Sequence, residues 1–132
     1  MEHFLVIPSQ LSHINRVRLF LDEIFTESNL NRTYFNRIFL GVSEALSNAI
    51  IHGNKFDVNK RVYIHVVSNE CQLSVEIVDE GKGFCIDCIK DPTNPTNLMN
   101  EKGRGIFFIR QLSDEMSYSD GGRKVWIKYS LT

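Results

Sequence analysis

In the stretch SEALSNAIIHGN, Ser43 to Asn54, a carboxylate, an amide and an imidazole recur every four residues as Glu44, Asn48 and His52. Residues four apart are neighbours on a helix, so Glu44 and Asn48 can point at one object. Gly41 and Ala45 beside them leave room for it. The plainer alternative is a solvated helix border, since Glu is a good helix former. His52 stands near the helix end, where it can cap or complement the dipole, and it is left out of the catalytic set.

Two later stretches favour a site. DEGKGF sets Asp79 at a strand end and follows it with Gly81 and Gly83. Glycines allow tight turns and close backbone approach to a ligand. A carboxylate at a strand end beside a cleft can accept a hydrogen bond from an exocyclic amine. GRGIFFI sets Gly103 and Gly105 where a loop becomes a helix, with Lys102 and Arg104 adding positive charge. Free N–H groups at such a helix start, with the dipole's positive end, make an anion site. Either glycine pair alone is weak. Their order along the chain is the stronger signal.

The elements that must hold these residues follow from periodicity. HFLVIP reads as a strand stopped by Pro8, with Ser9 free to cap a helix that runs to about Glu27. A second helix spans about Arg32 to His52, with Gly53 and Asn54 expected as a left-handed C-cap. On a wheel of ~100° per residue, Phe35, Ile38, Phe39, Val42, Leu46, Ala49 and Ile50 fill one apolar arc, with Leu40 and Ile51 outside it. RVYIHVV and QLSVEIVDE form a hairpin around SNEC. A long glycine- and proline-bearing segment without period follows, as expected of a lid. RGIFFIRQLSDEM supports a third helix, and MSYS, a DGGR turn and KVWIKYSL close as a hairpin. The order is strand, helix, helix, two strands, lid, helix, two strands. Such clustering favours an α+β two-layer sandwich in one domain, residues 1–132.

Composition narrows the function classes. The chain of 132 residues is 42% hydrophobic and 23% charged, with a net charge of -1, which gives no footprint for nucleic acid or an anionic membrane. No signal peptide or membrane-spanning run is evident, so the cytoplasm is the expected location. Cys85 and Cys88 form a C-x-x-C pair, but a structural zinc site wants two such pairs. Cys71 is expected to be packing.

EALSNAIIHGN, DEGKGF and GRGIFFI resemble the N, G1 and G2 boxes of the GHKL ATPases, with their Bergerat ATP-binding fold. The similarity is strongest to the short anti-sigma-factor serine/threonine protein kinases of bacteria, and it covers nearly the whole chain. It implies a two-layer α/β sandwich with a mixed sheet packed against helices. It implies ATP and Mg²⁺ as cofactors, with Glu44 as general base, Asn48 as the metal ligand and Asp79 on the adenine amino group. Gly81 and Gly83 would shape the adenine-side turn, and Gly103 and Gly105 would present N–H groups to the phosphates. Two positions depart from relatives. Arg123 and Lys124 follow the last glycines where Thr is frequent, and Lys102 stands near where a lid arginine can occur. Which cation meets the γ-phosphate stays open.

The implied partners are an anti-sigma-factor antagonist as protein substrate, a sigma factor, and a second copy in a homodimer. An alternative is a catalytically silent ATP-binding interaction module of the same fold. A histidine-kinase catalytic domain is disfavoured, because no helix here carries a phosphoacceptor histidine for dimerisation.

Overall fold

The computed structural model describes residues 1–83 and 101–132, with residues 101–104 by backbone alone. Strand β1 (Glu2–Pro8) leads into helix α1 (Ile14–Glu27) and helix α2 (Phe35–Asn48). Strands β2 (Arg61–Ser68) and β3 (Gln72–Val78) follow, then helix α3 (Glu101–Leu112), β4 (Glu115–Ser119) and β5 (Lys124–Ser130). These helices and strands come in the order expected from the sequence, and the expected lid lies outside the described residues.

The five strands form one sheet in the order β1-β2-β3-β5-β4. Every pairing is antiparallel, which corrects the expectation of a mixed sheet. The reason is topological. The connection through α3 returns β4 in the same direction as β3, but the tight β4–β5 hairpin inserts β5 between them. Two parallel strands therefore never become hydrogen-bonded neighbours.

Strict alternation assigns the inner sheet face. Val62, Ile64 and Val66 of β2, Leu73, Val75 and Ile77 of β3, and Val125, Ile127 and Tyr129 of β5 are buried. From α1, Val17, Leu21, Ile24 and Phe25 meet them, and the expected arc of α2 does so too. Within that arc only Phe39 is half-buried. Leu40 is exposed, as its place outside the arc requires. Phe25 and Phe35 meet edge to face, with centroids 5.2 Å apart, and lock α1 onto α2. The outer sheet face is wetter, although Phe4 stacks on His65 there at 4.3 Å.

Two helix boundaries differ from expectation. Ser9 caps no helix. Its hydroxyl donates to the Lys60 carbonyl at 2.6 Å, and α1 is entered through a short 3-10 turn at Leu11–His13. At the other end, α2 widens into a π turn over Ala49–Gly53. Asn54 is right-handed (φ -81°), so the left-handed cap expected at Gly53 and Asn54 is absent. The Asn54 N–H reaches back to the Ala49 carbonyl at 2.7 Å instead, and positive φ appears just after it, at Lys55 and Phe56.

Candidate functional site

The π turn and the end of β3 meet through one buried amide. Asn54 Nδ2 donates to Ser9 Oγ at 2.8 Å and to the Arg61 carbonyl at 3.0 Å, while its Oδ1 accepts the Glu80 N–H at 2.8 Å. All three amide bonds are made in a residue that is almost wholly buried. Each is worth about 1 kcal/mol net, and more if its partner were left stranded. Asn54 thus fixes the turn that carries Asp79.

Asp79 follows β3 directly and is buried. Its N–H donates to the Arg123 carbonyl at 2.9 Å, and its Oδ1 accepts the Gly81 N–H at 2.8 Å. The carboxyl group lies flat against Gly53, where an added Cβ would stand 2.5 Å from Cγ and Oδ2. Gly53 therefore serves close packing rather than a helix cap. The backbone of Gly81 in turn presses on the Gly53 carbonyl, so a Cβ at Gly81 would collide with it. Gly83 takes a positive φ of 80° and packs on the Gly121 carbonyl. The glycine turn is clamped between the π turn and the β4–β5 connection. Arg123 closes that side by reaching the Gly81 carbonyl at 3.5 Å and pairing with Asp120 at 3.2 Å. The guanidinium beside Asp120 holds that carboxyl below its ordinary range.

Glu44 and Asn48 sit on the α2 border that faces α3. Glu44 is half-buried and Asn48 is buried. Gly105 of α3 lies directly over both. A Cβ there would be 3.1 Å from Asn48 Nδ2, 3.2 Å from its Oδ1 and 3.3 Å from Glu44 Oε2. The first and third stretches thus meet at one point. In α3, Gly103 falls within the first four residues, whose N–H groups lack an intrahelical acceptor, and Gly105 falls just beyond them. The side chains of Lys102 and Arg104 lie outside the described residues, as do Cys85 and Cys88.

Gly41 has a different reason for being small. A Cβ there would run into the Tyr129 hydroxyl, so the room beside the stripe is filled by Tyr129 from β5 and not by a ligand. His52 lies past the point where α2 widens, so the 100° wheel no longer predicts its direction. It lines a cleft of about 530 Å³ that opens between the π turn and the glycine turn, with Gly53, Lys55, Lys60, Lys82 and Gly83.

Sequence reasoning read Gly53 and Asn54 as a helix cap, gave Arg123 no role and passed over Tyr118. The phenol of Tyr118, on β4, is pushed up to about 12 by burial, with the Asn48 amide and Arg110 pulling the other way. No periodicity signal separates these residues from ordinary turn or strand positions.

A buried Asn is a fitting partner for a hard cation. Mg²⁺ keeps several waters and takes few protein ligands, and Asn48 Nδ2 has no hydrogen-bond partner among the described residues. The arrangement as a whole is an acid–amide pair on one helix, a glycine-opened helix over it, and a buried carboxyl group at a strand end. That set, on a two-layer sandwich, defines a nucleotide-handling class of domain. Residues 7–129 match the histidine kinase-like ATPase domain, and the chain belongs to that family.

Named relatives narrow the comparison. The serine-protein kinase RsbW of Bacillus subtilis (strain 168) is 28% identical over 116 residues, covering 83% of this chain and 72% of its own. RsbW of Listeria monocytogenes (strain EGD-e) is 25% identical over 133 residues, covering 95% and 85%. RsbW of Staphylococcus aureus (strain Newman) is 25% identical over 126 residues, covering 88% and 78%. A solved structure of the RsbU and RsbW domains of a Mycobacterium tuberculosis protein superposes with a TM-score of 0.68 at 15% identity. It covers 98% of this chain and 32% of that one, and it establishes the fold.

Proposed function

We propose that this chain is an ATP-dependent serine/threonine protein kinase that phosphorylates an anti-sigma-factor antagonist and holds a sigma factor when the antagonist is absent. The observation that carries the proposal is the close approach of Gly105 to Glu44 and Asn48, whose side-chain atoms lie 3.1–3.3 Å from where a Cβ on Gly105 would stand. The names of the relatives point to a serine side chain of a protein as acceptor, and the antagonist and sigma factor come from the resemblance of the three boxes.

Each group has a distinct task. Asp79, fixed by Gly81 and Gly53, accepts the adenine amino hydrogen. Asn48 would hold Mg²⁺, which supplies charge neutralisation at the phosphate oxygens. Glu44 takes the proton from the attacking serine or threonine hydroxyl. The start of α3 offers N–H groups to the phosphates. Phosphoryl transfer asks for positioning and charge stabilisation more than covalent help, and this site is built of such parts. Antagonist, sigma factor and a second copy of the chain are the proposed partners. No helix among the described residues is long and apolar enough to cross a membrane.

The test is transfer of the γ-phosphate of radiolabelled ATP to candidate antagonists, by the parent and by Glu44→Gln. A general base contributes ~10²–10⁴-fold, so the variant should lose that much rate and keep its nucleotide affinity. A parent protein that binds ATP and antagonist yet never transfers phosphate is a silent interaction module.

A further inference from the structure

Arg37, Gly41, Glu44 and Asn48 recur every three or four residues along α2, so they lie on one stripe of it. On α3, Gly105 and Leu112 are two turns apart and share a stripe as well. The two stripes face each other and run in opposite directions. Gly105 lies over Glu44 and Asn48, and Leu112 lies at Arg37.

The second meeting is a hydrogen bond. Arg37 Nε donates to the Leu112 carbonyl at 2.5 Å in a part-buried position. That carbonyl is among the last four of α3, which have no intrahelical donor. A cation there also complements the negative end of the helix dipole. The ion pair beside it is looser. Arg37 Nη2 stands 3.7 Å from Asp114 Oδ2, and both side chains are exposed enough for water to screen them. Asp114 fastens the exit of α3 to β5, since its N–H donates to the Lys128 carbonyl at 2.9 Å and its Oδ2 accepts the Ser130 N–H at 2.7 Å. The end of α3 is thus pinned to α2 by Arg37 and to β5 by Asp114.

What is fixed at that end sets the other. Gly105 lies about 10 Å along the helix from Leu112, so a tilt of about 6° there moves Gly105 by about 1 Å. Atoms of Glu44 and Asn48 lie 3.1–3.3 Å from where a Cβ on Gly105 would stand, and a shift of that size remakes the contact. Buried Ile106 and Ile109 hold α3 down on the core, but apolar burial has no direction, whereas the Arg37 bond does.

We propose that Arg37 is a positioning residue for the nucleotide site: by holding the Leu112 carbonyl to α2 it sets the height of Gly105 over Glu44 and Asn48. The proposal rests on the nucleotide-site reading above. Arg37 itself touches neither metal nor nucleotide.

The experiment measures ADP affinity by titration calorimetry with Mg²⁺ present, at a temperature where circular dichroism shows every variant folded. A contact that only stabilises the fold then leaves the dissociation constant unmoved. Arg37→Met keeps a long stem and removes the donor. It should weaken binding roughly three- to tenfold, because apparent affinity falls with the fraction of molecules in the competent arrangement. Arg37→Lys keeps a cationic donor and should recover part of that loss. Asp114→Asn removes the ion pair, keeps an oxygen for Ser130, and should stay within about twofold of the parent. In a Gly105→Ala background the new methyl already lifts α3, so Arg37→Met should add no further loss. A parent-like constant for Arg37→Met overturns the proposal. So does a loss from Arg37→Lys or Asp114→Asn as large as that from Arg37→Met, and so does a full additional loss in the Gly105→Ala background. A parent that binds no ADP overturns the nucleotide site itself, a result distinct from all of these.

Discussion

Gly53→Ala is the sharpest test of how Asp79 is held. The new Cβ would stand 2.5 Å from Asp79 Cγ and Oδ2, and 2.8 Å from Oδ1. Ordinary contact needs about 3.5 Å, so the carboxyl group must retreat by about 1 Å. It has little freedom to do so. Its backbone N–H is fixed to Arg123, and its Oδ1 holds the Gly81 N–H at 2.8 Å. Losing that bond costs about 1 kcal/mol, and overpacking a tight contact costs about 1–3 kcal/mol. Gly53 has no positive φ, so alanine's better helix propensity returns about 0.5–1 kcal/mol. The net expectation is a destabilisation of about 1–3 kcal/mol, read from urea unfolding. Nucleotide titration supplies the second readout. A displaced Asp79 should lower ATP affinity about tenfold, equivalent to about 1.4 kcal/mol, and shrink the preference for ATP over GTP, whose base has a carbonyl at that position. A folded variant with parent stability and an intact ATP preference would refute the contact and the role drawn from it.

Gly105→Ala should keep or raise the melting temperature, since alanine is better in a helix by about 1 kcal/mol, yet lower Mg²⁺-dependent nucleotide affinity at least about tenfold by pushing on Asn48 and Glu44. Thermal melts with and without Mg²⁺-ADP check both halves. Asn54→Ala should cost about 2–4 kcal/mol, because three satisfied bonds are removed from a buried site; chemical denaturation measures it. Tyr63 donates to Glu80 at 2.6 Å, and that bond, with the Arg61 N–H, holds the Glu80 carboxyl below its ordinary value. A depressed carboxylate stabilises the fold above its unfolded pKa, and that contribution is lost as pH falls through the folded one. Tyr63→Phe should therefore raise the Glu80 pKa toward the ordinary range, as followed by NMR titration of its side chain.

Much of the fold was legible because the core residues obey simple periods. The apolar arc of α2 and the alternation of Val125, Ile127 and Tyr129 needed only a wheel and a count of two. Both hairpins were legible, but the strand order was not. That order depends on β5 slipping between β3 and β4, which no local pattern encodes. Glu44, Asn48, Asp79, Gly81 and Gly105 stood out by type and spacing, and the structure brings Glu44 and Asn48 under Gly105 and sets Asp79 on Gly81. Gly53 and Asn54 looked like a helix stop because Gly-Asn usually is one. Their actual work is tertiary, against Asp79 and Ser9, and becomes visible only when segments far apart in sequence are assembled. Tyr118 was silent for the same reason, as one more aromatic on a strand.

The Asn54 amide also bears on how long the folded state lasts. Its partners lie 45 residues away at Ser9 and 26 residues away at Glu80. It can be satisfied only after β1 has paired with β2, β3 has reached its end, and the π turn has closed. A contact that needs three separate segments is expected to close after the folding barrier, which a φ-value near zero for Asn54→Ala would show. Interactions absent from the transition state slow unfolding without hastening folding. On that expectation Asn54 is a latch on escape from the native state. Its removal should speed unfolding and leave the refolding arm of the chevron nearly in place.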